Sequence, residues 1–455
     1  MRKDITEKLT AVFTGKKILI WGFGREGKSS LTLIRRLLPE MPVAVADSGE
    51  PDLTGFDNVT FIKADKDNAN IPFCDYDIIM KSPGIAVDRD IVPVERLSSQ
   101  TQLFMELFRK QMIGVTGTKG KSTTSSMLYH IISSQFEDTI FCGNIGIPCF
   151  DILDRITSET KIVFEMSCHQ LEFATCSPHI SVILNLHQDH LDHYGTYEKY
   201  IEAKTHIFTG QDEDDFCLLN VLDTETYKAY PSGDGHKIYV SQDSDAAADI
   251  RVNGRTITTP GSSVTIGEHD TALVGGHNLY NIGVAYYICS DLLGIGNAEF
   301  LGALASFAPL PHRLQKVAEI DGVTYYDDSI STICESAINA IKALKNIGTI
   351  ILGGMDRGID YTDLLDCLFS VKIDNLVLIG QTTPRMKALI EERSAQTGIM
   401  QNIHCAADMA DAVAFAKANT AKGKICLLSP AAASYDMFKN FEVRGDAFAA
   451  CVKGE

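Results

Sequence analysis

At 455 residues the chain exceeds what one ordinary hydrophobic core supports, so about two to four domains are expected. Hydrophobic residues make up 45% and charged residues 22%, and no apolar run is long enough to cross a bilayer, which excludes membrane insertion. The net charge of -18 excludes nonspecific nucleic-acid binding, and the 12 cysteines lack paired C-x-x-C spacing, which suits reduced core thiols better than disulfides or zinc. Residues 1–14 are too charged for a secretory signal core, so a cytoplasmic protein, and a monomer, is the expectation.

Residues 17–21 form an apolar run that predicts a strand, followed by a helix over 29–38 and strands over 43–46 and 77–80. Between the first strand and the helix lies Gly22-Phe23-Gly24-Arg25-Glu26-Gly27, in the context that a G-x-G-x-x-G needs to cradle a diphosphate. Asp47 follows the second strand, where a dinucleotide site places its ribose carboxylate. Taken alone, this segment suits a nicotinamide or flavin site, or a tight packing turn.

A second unit opens near residue 112. A strand over 113–115 leads into Gly114-Val115-Thr116-Gly117-Thr118-Lys119-Gly120-Lys121-Ser122-Thr123 and a helix over 122–133. Backbone N–H groups of such a loop converge on phosphate oxygens, Lys121 supplies a positive charge, and Ser122 offers a hydroxyl to Mg²⁺. The strict phosphate-loop spacing requires glycine at 115, where Val115 stands, so Gly114 and Gly117 are expected to share the turning. Strands over 162–164 and 180–184 end in Glu165 and in Asn185-Leu186-His187-Gln188-Asp189-His190, placing a carboxylate and an imidazole at strand ends, where open parallel sheets bind ligands. Along 197–208, Lys204 falls on the apolar face made by Tyr197, Tyr200, Ile201, Ile207 and Phe208. Either its amine reaches water past a packed stem, or it is desolvated and held neutral at physiological pH. Residues 212–274 turn to short β-rich runs, a small β subsheet of the central unit. A third unit follows Pro309-Leu310-Pro311, with strands over 323–326, 349–352, 376–379 and 425–428. These exit into Asp327-Asp328-Ser329, Gly353-Gly354-Met355-Asp356-Arg357-Gly358 and Ser429-Pro430-Ala431-Ala432-Ala433-Ser434.

The order of these motifs, beginning with Gly-x-x-Gly-x-x-Gly-Lys-Ser-Thr at 114–123, resembles the Mur ligase family, ATP-dependent enzymes that attach amino acids to a cell-wall precursor. The resemblance implies three α/β domains. These are a Rossmann-like domain at 1–110 for the UDP-sugar nucleotide, a central P-loop ATPase-like domain at 111–308, and a Rossmann-like domain at 309–455 for the incoming amino acid. It implies that Gly117, Thr118, Lys119, Gly120, Lys121, Ser122 and Thr123 hold ATP, with Asn278 and Asn281 of Gly276-His277-Asn278-Leu279-Tyr280-Asn281, Arg313 of Pro311-His312-Arg313, and Asp328. The sugar nucleotide falls to Gly22, Phe23, Gly24, Arg25, Glu26, Gly27, Lys28, Ser29, Ser82, Pro83 and Gly84, with Ser30, Asn144 in Gly143-Asn144-Ile145-Gly146, Ser167 and neighbouring His169. One Mg²⁺ is implied near Ser122 and Glu165 and a second near His190 and Lys204, the lysine carrying a CO₂-derived carbamate; Lys121, Glu165, His190 and Lys204 are thus the expected catalytic set.

The segment Ser434-Tyr435-Asp436-Met437-Phe438-Lys439-Asn440-Phe441-Glu442-Val443-Arg444-Gly445 resembles the branch that adds glutamate to UDP-N-acetylmuramoyl-L-alanine, implying a glutamate site of Thr332, Arg357, Ser434 and Phe441. That branch reads Asp-Ser-Lys-Ala-Thr-Asn where this chain reads Asp328-Ser329-Ile330-Ser331-Thr332-Ile333, which leaves D- and L-glutamate both open. Two other classes stay in view: a nucleotide-dependent oxidoreductase built on Gly22 to Gly27, and a nucleotide-gated binding protein without turnover. Closure about residues 308–313 is expected, because water would hydrolyse an acyl phosphate.

Overall fold

Runs of Ile, Val and Leu become strands covered on both faces, and they assemble into three sheets. The computed structural model describes residues 1–145, 147–242 and 248–455, so Gly146, expected beside the sugar nucleotide, lies outside the described residues. The first sheet has strands β1 (Ile18–Trp21), β2 (Val43–Asp47), β3 (Val59–Lys63), β4 (Ile78–Lys81) and β5 (Leu97–Ser98), all parallel in the order β3-β2-β1-β4-β5.

The second sheet contains β6 (Met112–Thr116), β7 (Thr139–Gly143), β8 (Lys161–Glu165), β9 (Ile180–Ile183), β10 (Phe216–Asn220), β11 (His236–Ser241), β12 (Ile250–Asn253), β13 (Thr256–Thr258) and β14 (Ser263–Thr265). Its order is β14-β13-β12-β11-β10-β9-β6-β8-β7, so the β-rich stretch after residue 212 is hydrogen-bonded continuously to the phosphate-loop sheet. Among the described residues, only the β12–β13 and β13–β14 pairs of this sheet are antiparallel.

The third sheet is built from β15 (Gln315–Ile320), β16 (Val323–Asp327), β17 (Ile347–Leu352), β18 (Asn375–Leu378), β19 (Asn402–Cys405) and β20 (Ile425–Leu428). Its order is β15-β16-β20-β17-β18-β19, parallel except for β15 against β16. The strands that patterning passes over, β3, β5, β7, β15 and β19, are all sheet edges. Of these, β3, β5, β15 and β19 leave most side chains at least partly open to solvent and form no buried apolar run, whereas β7 is largely buried and its short run at 139–142 reads equally as packing for a core cysteine.

The chain divides into two compact units, Met1–Asp270 with Leu279–Phe307, and Thr271–Asn278 with Ala308–Glu455. The first unit holds two sheets, which share a core through Phe104, Phe108 and Phe164; a fully buried Phe contributes about 1.5–3 kcal/mol. Polar clasps join the same sheets: Ser29 Oγ donates to Asp151 at 2.6 Å, and Arg36 forks onto Asp154 at 2.6 and 2.7 Å. The helix after the glycine loop runs Arg25–Leu37, four residues earlier than its apolar pattern begins, because its first turn is polar and starts directly from Gly24. Among the described residues, no helix is long and apolar enough to cross a membrane.

Candidate active site

Strand order explains why motifs far apart in the chain converge: in each sheet they leave the carboxyl ends of adjacent parallel strands. In the second sheet β6 lies between β8 and β9, with Val115 paired to Glu165 and Thr116 to Ile183. The phosphate loop therefore emerges between Glu165 and the Asn185–His190 segment. Its turn is made by Gly117 (φ 149°) and Gly120 (φ 85°). Gly114, expected to share that turn, instead lies inside β6, where a Cβ would stand 2.6 Å from Pro178. Its glycine answers to strand packing, which spacing alone does not distinguish from turning.

The loop is braced from its neighbours. Asn185 accepts the Lys119 N–H at 2.9 Å and donates to the Lys119 carbonyl at 3.0 Å. Thr118 Oγ1 lies 2.8 Å from the Tyr200 hydroxyl and accepts the His187 N–H at 2.9 Å. Lys121 Nζ donates to the carbonyls of Gly117 and Thr118, at 2.9 and 3.0 Å. The helix Lys121–Ser133 follows, with Ser122 buried and Thr123 half-buried in its first turn. Asn281 packs its amide against Gly120, whereas Asn278 donates to the Val274 carbonyl at 2.7 Å within the second unit.

Glu165 is fully buried and accepts from Asn144 Nδ2 at 2.8 Å and Ser125 Oγ at 3.4 Å. Lys204, on the helix Tyr197–Thr209, is 1% exposed, so its amine does not reach water. It donates instead to the Gly117 carbonyl at 2.9 Å and lies 4.8 Å from the Tyr200 ring centroid. Burial, reinforced by the charge of Lys121, pulls its pKa down to about 7. His190 takes a left-handed backbone (φ 52°) and sets its ring 6.2 Å from the same Tyr200. Asp189 stands 4.0 Å from the His190 imidazole, beyond hydrogen-bonding range, and 3.8 Å from Lys119.

Tyr200, which patterning reads only as part of an apolar stripe, thus joins the phosphate loop, Lys204 and His190. His169 packs edge-on to His190 at 4.9 Å and His193 at 4.5 Å. Glu172 links His193 (3.1 Å) to Lys81 (3.5 Å). No sequence motif marks Glu172 or His193, since only the fold brings them together.

Among the described residues, no three His, Cys, Asp or Glu side chains converge as a metal-binding group. Ser122 and Glu165 still offer hard oxygen donors beside the phosphate loop, and Mg²⁺ characteristically takes one or two protein oxygens with phosphates and water completing its shell. That set fits a magnesium ion arriving with nucleotide. An imidazole and a bare amine do not, so His190 and Lys204 become a Mg²⁺ set only if the lysine acquires a carboxylate.

In the first sheet the glycine loop follows β1, between the ends of β2 and β4. Gly27 is obligatory, because a Cβ there would lie 2.1 Å from the Gly22 carbonyl. Asp47 accepts N–H groups from Phe23 and Gly49, both at 2.6 Å, and Ser82 Oγ donates to the Gly22 carbonyl at 2.9 Å. Gly24, Arg25, Lys28 and Gly84 are exposed, and Pro83 is half-buried with its carbonyl held by Lys81 at 3.0 Å. Ser29 and Ser30, expected at the diphosphate, are instead buried: Ser29 is bonded to Asp151, and Ser30 accepts Gln100 at 3.1 Å. Glu26 accepts Gln170 at 3.2 Å, and Ser167 caps the short helix Cys168–Leu171 through a reciprocal bond with Gln170.

In the second unit, β16, β20 and β17 are neighbours, so the loops carrying Thr332, Ser434 and Arg357 leave one edge. Arg357 is exposed, Thr332 half-buried and Ser434 buried; the Phe441 carbonyl accepts Ser329 Oγ at 2.8 Å. Arg313 is flanked by two left-handed residues, His312 (φ 60°) and Leu314 (φ 45°). Asp327 holds His312 Nδ1 at 2.7 Å, and Asp328 accepts the Leu314 N–H at 3.2 Å.

Asp328 also accepts the hydroxyls of Ser429, at 2.8 Å, and Ser331, so its carboxylate is engaged inside the unit. Burial pushes this acid from 3.8 up to about 7. The native chain thus keeps a proton that the unfolded chain has released, so stability falls as pH rises from about 4 to about 7 and stays lower above that. Asp328→Asn imitates the protonated form and is expected to remove about 2 kcal/mol of the stability difference between pH 5.5 and 8. Thermal unfolding at the two pH values checks this, and an unchanged difference in the variant refutes it.

A phosphate loop flanked by a buried carboxylate and a desolvated lysine, on a multi-sheet α/β scaffold, defines a protein that handles a nucleoside triphosphate. The Mur ligase middle domain matches residues 115–289, and the Mur ligase glutamate ligase domain matches 312–432. The UDP-N-acetylmuramoylalanine–D-glutamate ligase of Clostridioides difficile (strain 630) is 32% identical over 453 residues, 95% of this chain and 97% of that protein. The enzyme of the same name from Streptococcus suis (strain 98HAH33) is 30% identical, covering 97% and 98%. Among solved structures, Thermotoga maritima MurC superposes with a TM-score of 0.59 at 18% identity, over 96% of this chain and 99% of that one. MurF from the same organism, in complex with ADP, has a TM-score of 0.59 at 16% identity, over 100% and 99%; at such identity these two establish the fold alone. The chain belongs to the Mur ligase family of ATP-dependent, amide-bond-forming ligases.

Proposed function

We propose that this chain joins D-glutamate to UDP-N-acetylmuramoyl-L-alanine as a cytoplasmic monomer, with sugar-nucleotide, ATP and glutamate domains at 1–110, 111–308 and 309–455. The observation that carries the reading is Lys204, buried on the Gly117 carbonyl of the phosphate loop, together with full-length relatives named for D-glutamate addition. A carboxylate is a poor acyl donor. In the proposed reaction an oxygen of the L-alanyl carboxylate attacks the γ-phosphorus of ATP, the bond to the bridging oxygen breaks, and ADP leaves an acyl phosphate. The neutral amine of glutamate then attacks the acyl carbon, the amide C–N bond forms, phosphate departs and the amine gives up a proton.

Lys121 and the N–H groups of residues 117–123 would hold the nucleotide phosphates, a preorganised array whose value rises where water is excluded. Ser122 and Glu165 would hold one Mg²⁺, and His190 with carbamylated Lys204 a second; bound there, the ions would neutralise charge on the transferring phosphoryl group. Exposed Gly24, Arg25, Lys28 and Gly84 would meet the sugar nucleotide. Thr332, Arg357, Ser434 and the Phe441 backbone would orient glutamate.

L-glutamate is the second reading, favoured by Ile330 and Ile333, which supply no polar side chain at the edge where Thr332 stands. The intact 434–441 segment and the names of the relatives support the D-enantiomer. Phosphate release with ATP, UDP-N-acetylmuramoyl-L-alanine and each enantiomer is expected to give the higher kcat/KM for D-glutamate, and a site built on hydrogen bonds can discriminate by orders of magnitude. A preference for L-glutamate overturns the substrate assignment, whereas no ATP-dependent release with either overturns the ligation.

A further inference from the structure

Arg444 is among the largest fully buried side chains, 1% exposed, on the helix Phe441–Lys453 of the second unit. Its donors reach three different strand exits. Nε donates to Ser329 Oγ at 3.0 Å and Nη2 to the Ser329 carbonyl at 2.8 Å, after β16. Nη1 donates to the Ala432 carbonyl at 3.0 Å, after β20, and lies 3.5 Å from the Gly353 carbonyl, after β17. Ser329 Oγ in turn donates to the Phe441 carbonyl at 2.8 Å, closing the network onto the start of Arg444's own helix. Direct backbone bonds tie the same loops, from Gly353 N–H to the Pro430 carbonyl and from Met355 N–H to the Ala433 carbonyl, both at 2.8 Å.

Burying a cation is costly, and carbonyls of a packed turn can be satisfied by neutral donors. A planar guanidinium brings something neutral donors do not: five N–H groups in a fixed fork, able to address several carbonyls from one point. The anchored residues lie two to four positions from the exits' polar side chains: Ser329 precedes Thr332, Gly353 precedes Arg357, and Ala432 precedes Ser434.

We propose that Arg444 is a positioning residue for amino-acid recognition, setting the mutual spacing of the loops that carry Thr332, Arg357 and Ser434 without touching the substrate. The inference rests on the reading of those loops as the glutamate-binding edge. Pairwise bonds already tie neighbouring exits, Gly353 to Pro430 and Ser429 to Asp328, and the guanidinium adds a single group that engages all three at once. Lysine, with three donors on one nitrogen, keeps the charge but does not span the three exits.

The test uses the full-length enzyme, with glutamate varied at saturating ATP and sugar nucleotide, and amide hydrogen exchange on the same samples. Arg444→Lys is expected to raise KM for glutamate by about tenfold or more while KM for ATP stays within about twofold. Added guanidinium ion is expected to restore part of the loss in Arg444→Ala. Ser329→Ala, which removes one Arg444 contact and the Phe441 link, is expected to give a smaller rise that is non-additive with Arg444→Lys. Should Arg444→Lys fail to fold, Ser329→Ala carries the same comparison.

Faster exchange confined to residues 328–333, 353–358 and 429–434 supports the proposal independently of any substrate. An unchanged KM for glutamate in a folded variant overturns it, as does a parallel change in KM for all three substrates together with faster exchange throughout the unit. If the unsubstituted enzyme consumes neither glutamate enantiomer while the exchange result holds, the glutamate reading fails and the positioning of the loops stands.

Discussion

Replacing Lys121 with alanine is expected to lower ATP-dependent ligation by about a thousandfold, close to 4 kcal/mol of transition-state stabilisation, while the fold survives. The side chain is half-buried, and its amine bonds to the Gly117 and Thr118 carbonyls of its own loop. It is absent from the buried apolar core that holds the second sheet. A cation held within a loop of converging N–H groups contributes mainly when the phosphoryl group carries its greatest charge. Steady-state phosphate release checks the loss, and far-ultraviolet circular dichroism with thermal unfolding checks the fold. Retention of activity within about tenfold of the unsubstituted enzyme contradicts the assigned role.

Replacing Lys204 with alanine is expected to have an effect of similar size, about a thousandfold, and, unlike the loss at Lys121, to be partly reversed by acetate or formate. The amine is buried against Gly117 and Tyr200 with its pKa lowered to about 7, so a large share is neutral at physiological pH. A neutral amine adds CO₂, forming an N–C bond and losing a proton, and the product is a carboxylate where the bare lysine offered only donors. Since protonation removes the nucleophile, carbamate formation and activity are both expected to fall as pH drops from about 8 to 6 and to recover with added bicarbonate. A carbamate signal in ¹³C spectra of enzyme equilibrated with labelled CO₂ reads this out apart from turnover. Full activity of the alanine variant, or a folded, active enzyme with no such signal, contradicts the carbamate.

Much of the scaffold was legible because buried parallel strands write themselves as continuous apolar runs: β1, β2, β6, β8, β9, β17, β18 and β20 all fall where those runs lie. The glycine-rich turns were legible for a related reason. Positive φ at Gly117 and Gly120, and the 2.1 Å approach to Gly27, leave few alternatives to glycine, so the requirement surfaces as a motif. The edge strands β3, β5, β15 and β19 left little trace, because half-exposed backbone needs no particular side chain.

Local pattern therefore determined the α/β class, the phosphate loop and the burial of Lys204's helix face, each set by interactions within a few residues or by a periodic need for apolar contact. Only the tertiary structure decided which partners those side chains have. Gly114 serves packing against Pro178, Ser29 and Ser30 fasten one sheet to another, Asp328 is consumed by Ser331, Ser429 and Leu314, and Arg444 joins three strand exits. Those partners lie tens to more than a hundred residues apart in several cases, as with Ser29 and Asp151, and are brought together by strand order. Strand order is a property of the whole sheet: no residue encodes that β20 enters between β16 and β17, yet that insertion brings Ser329, Gly353 and Ala432 within reach of one guanidinium.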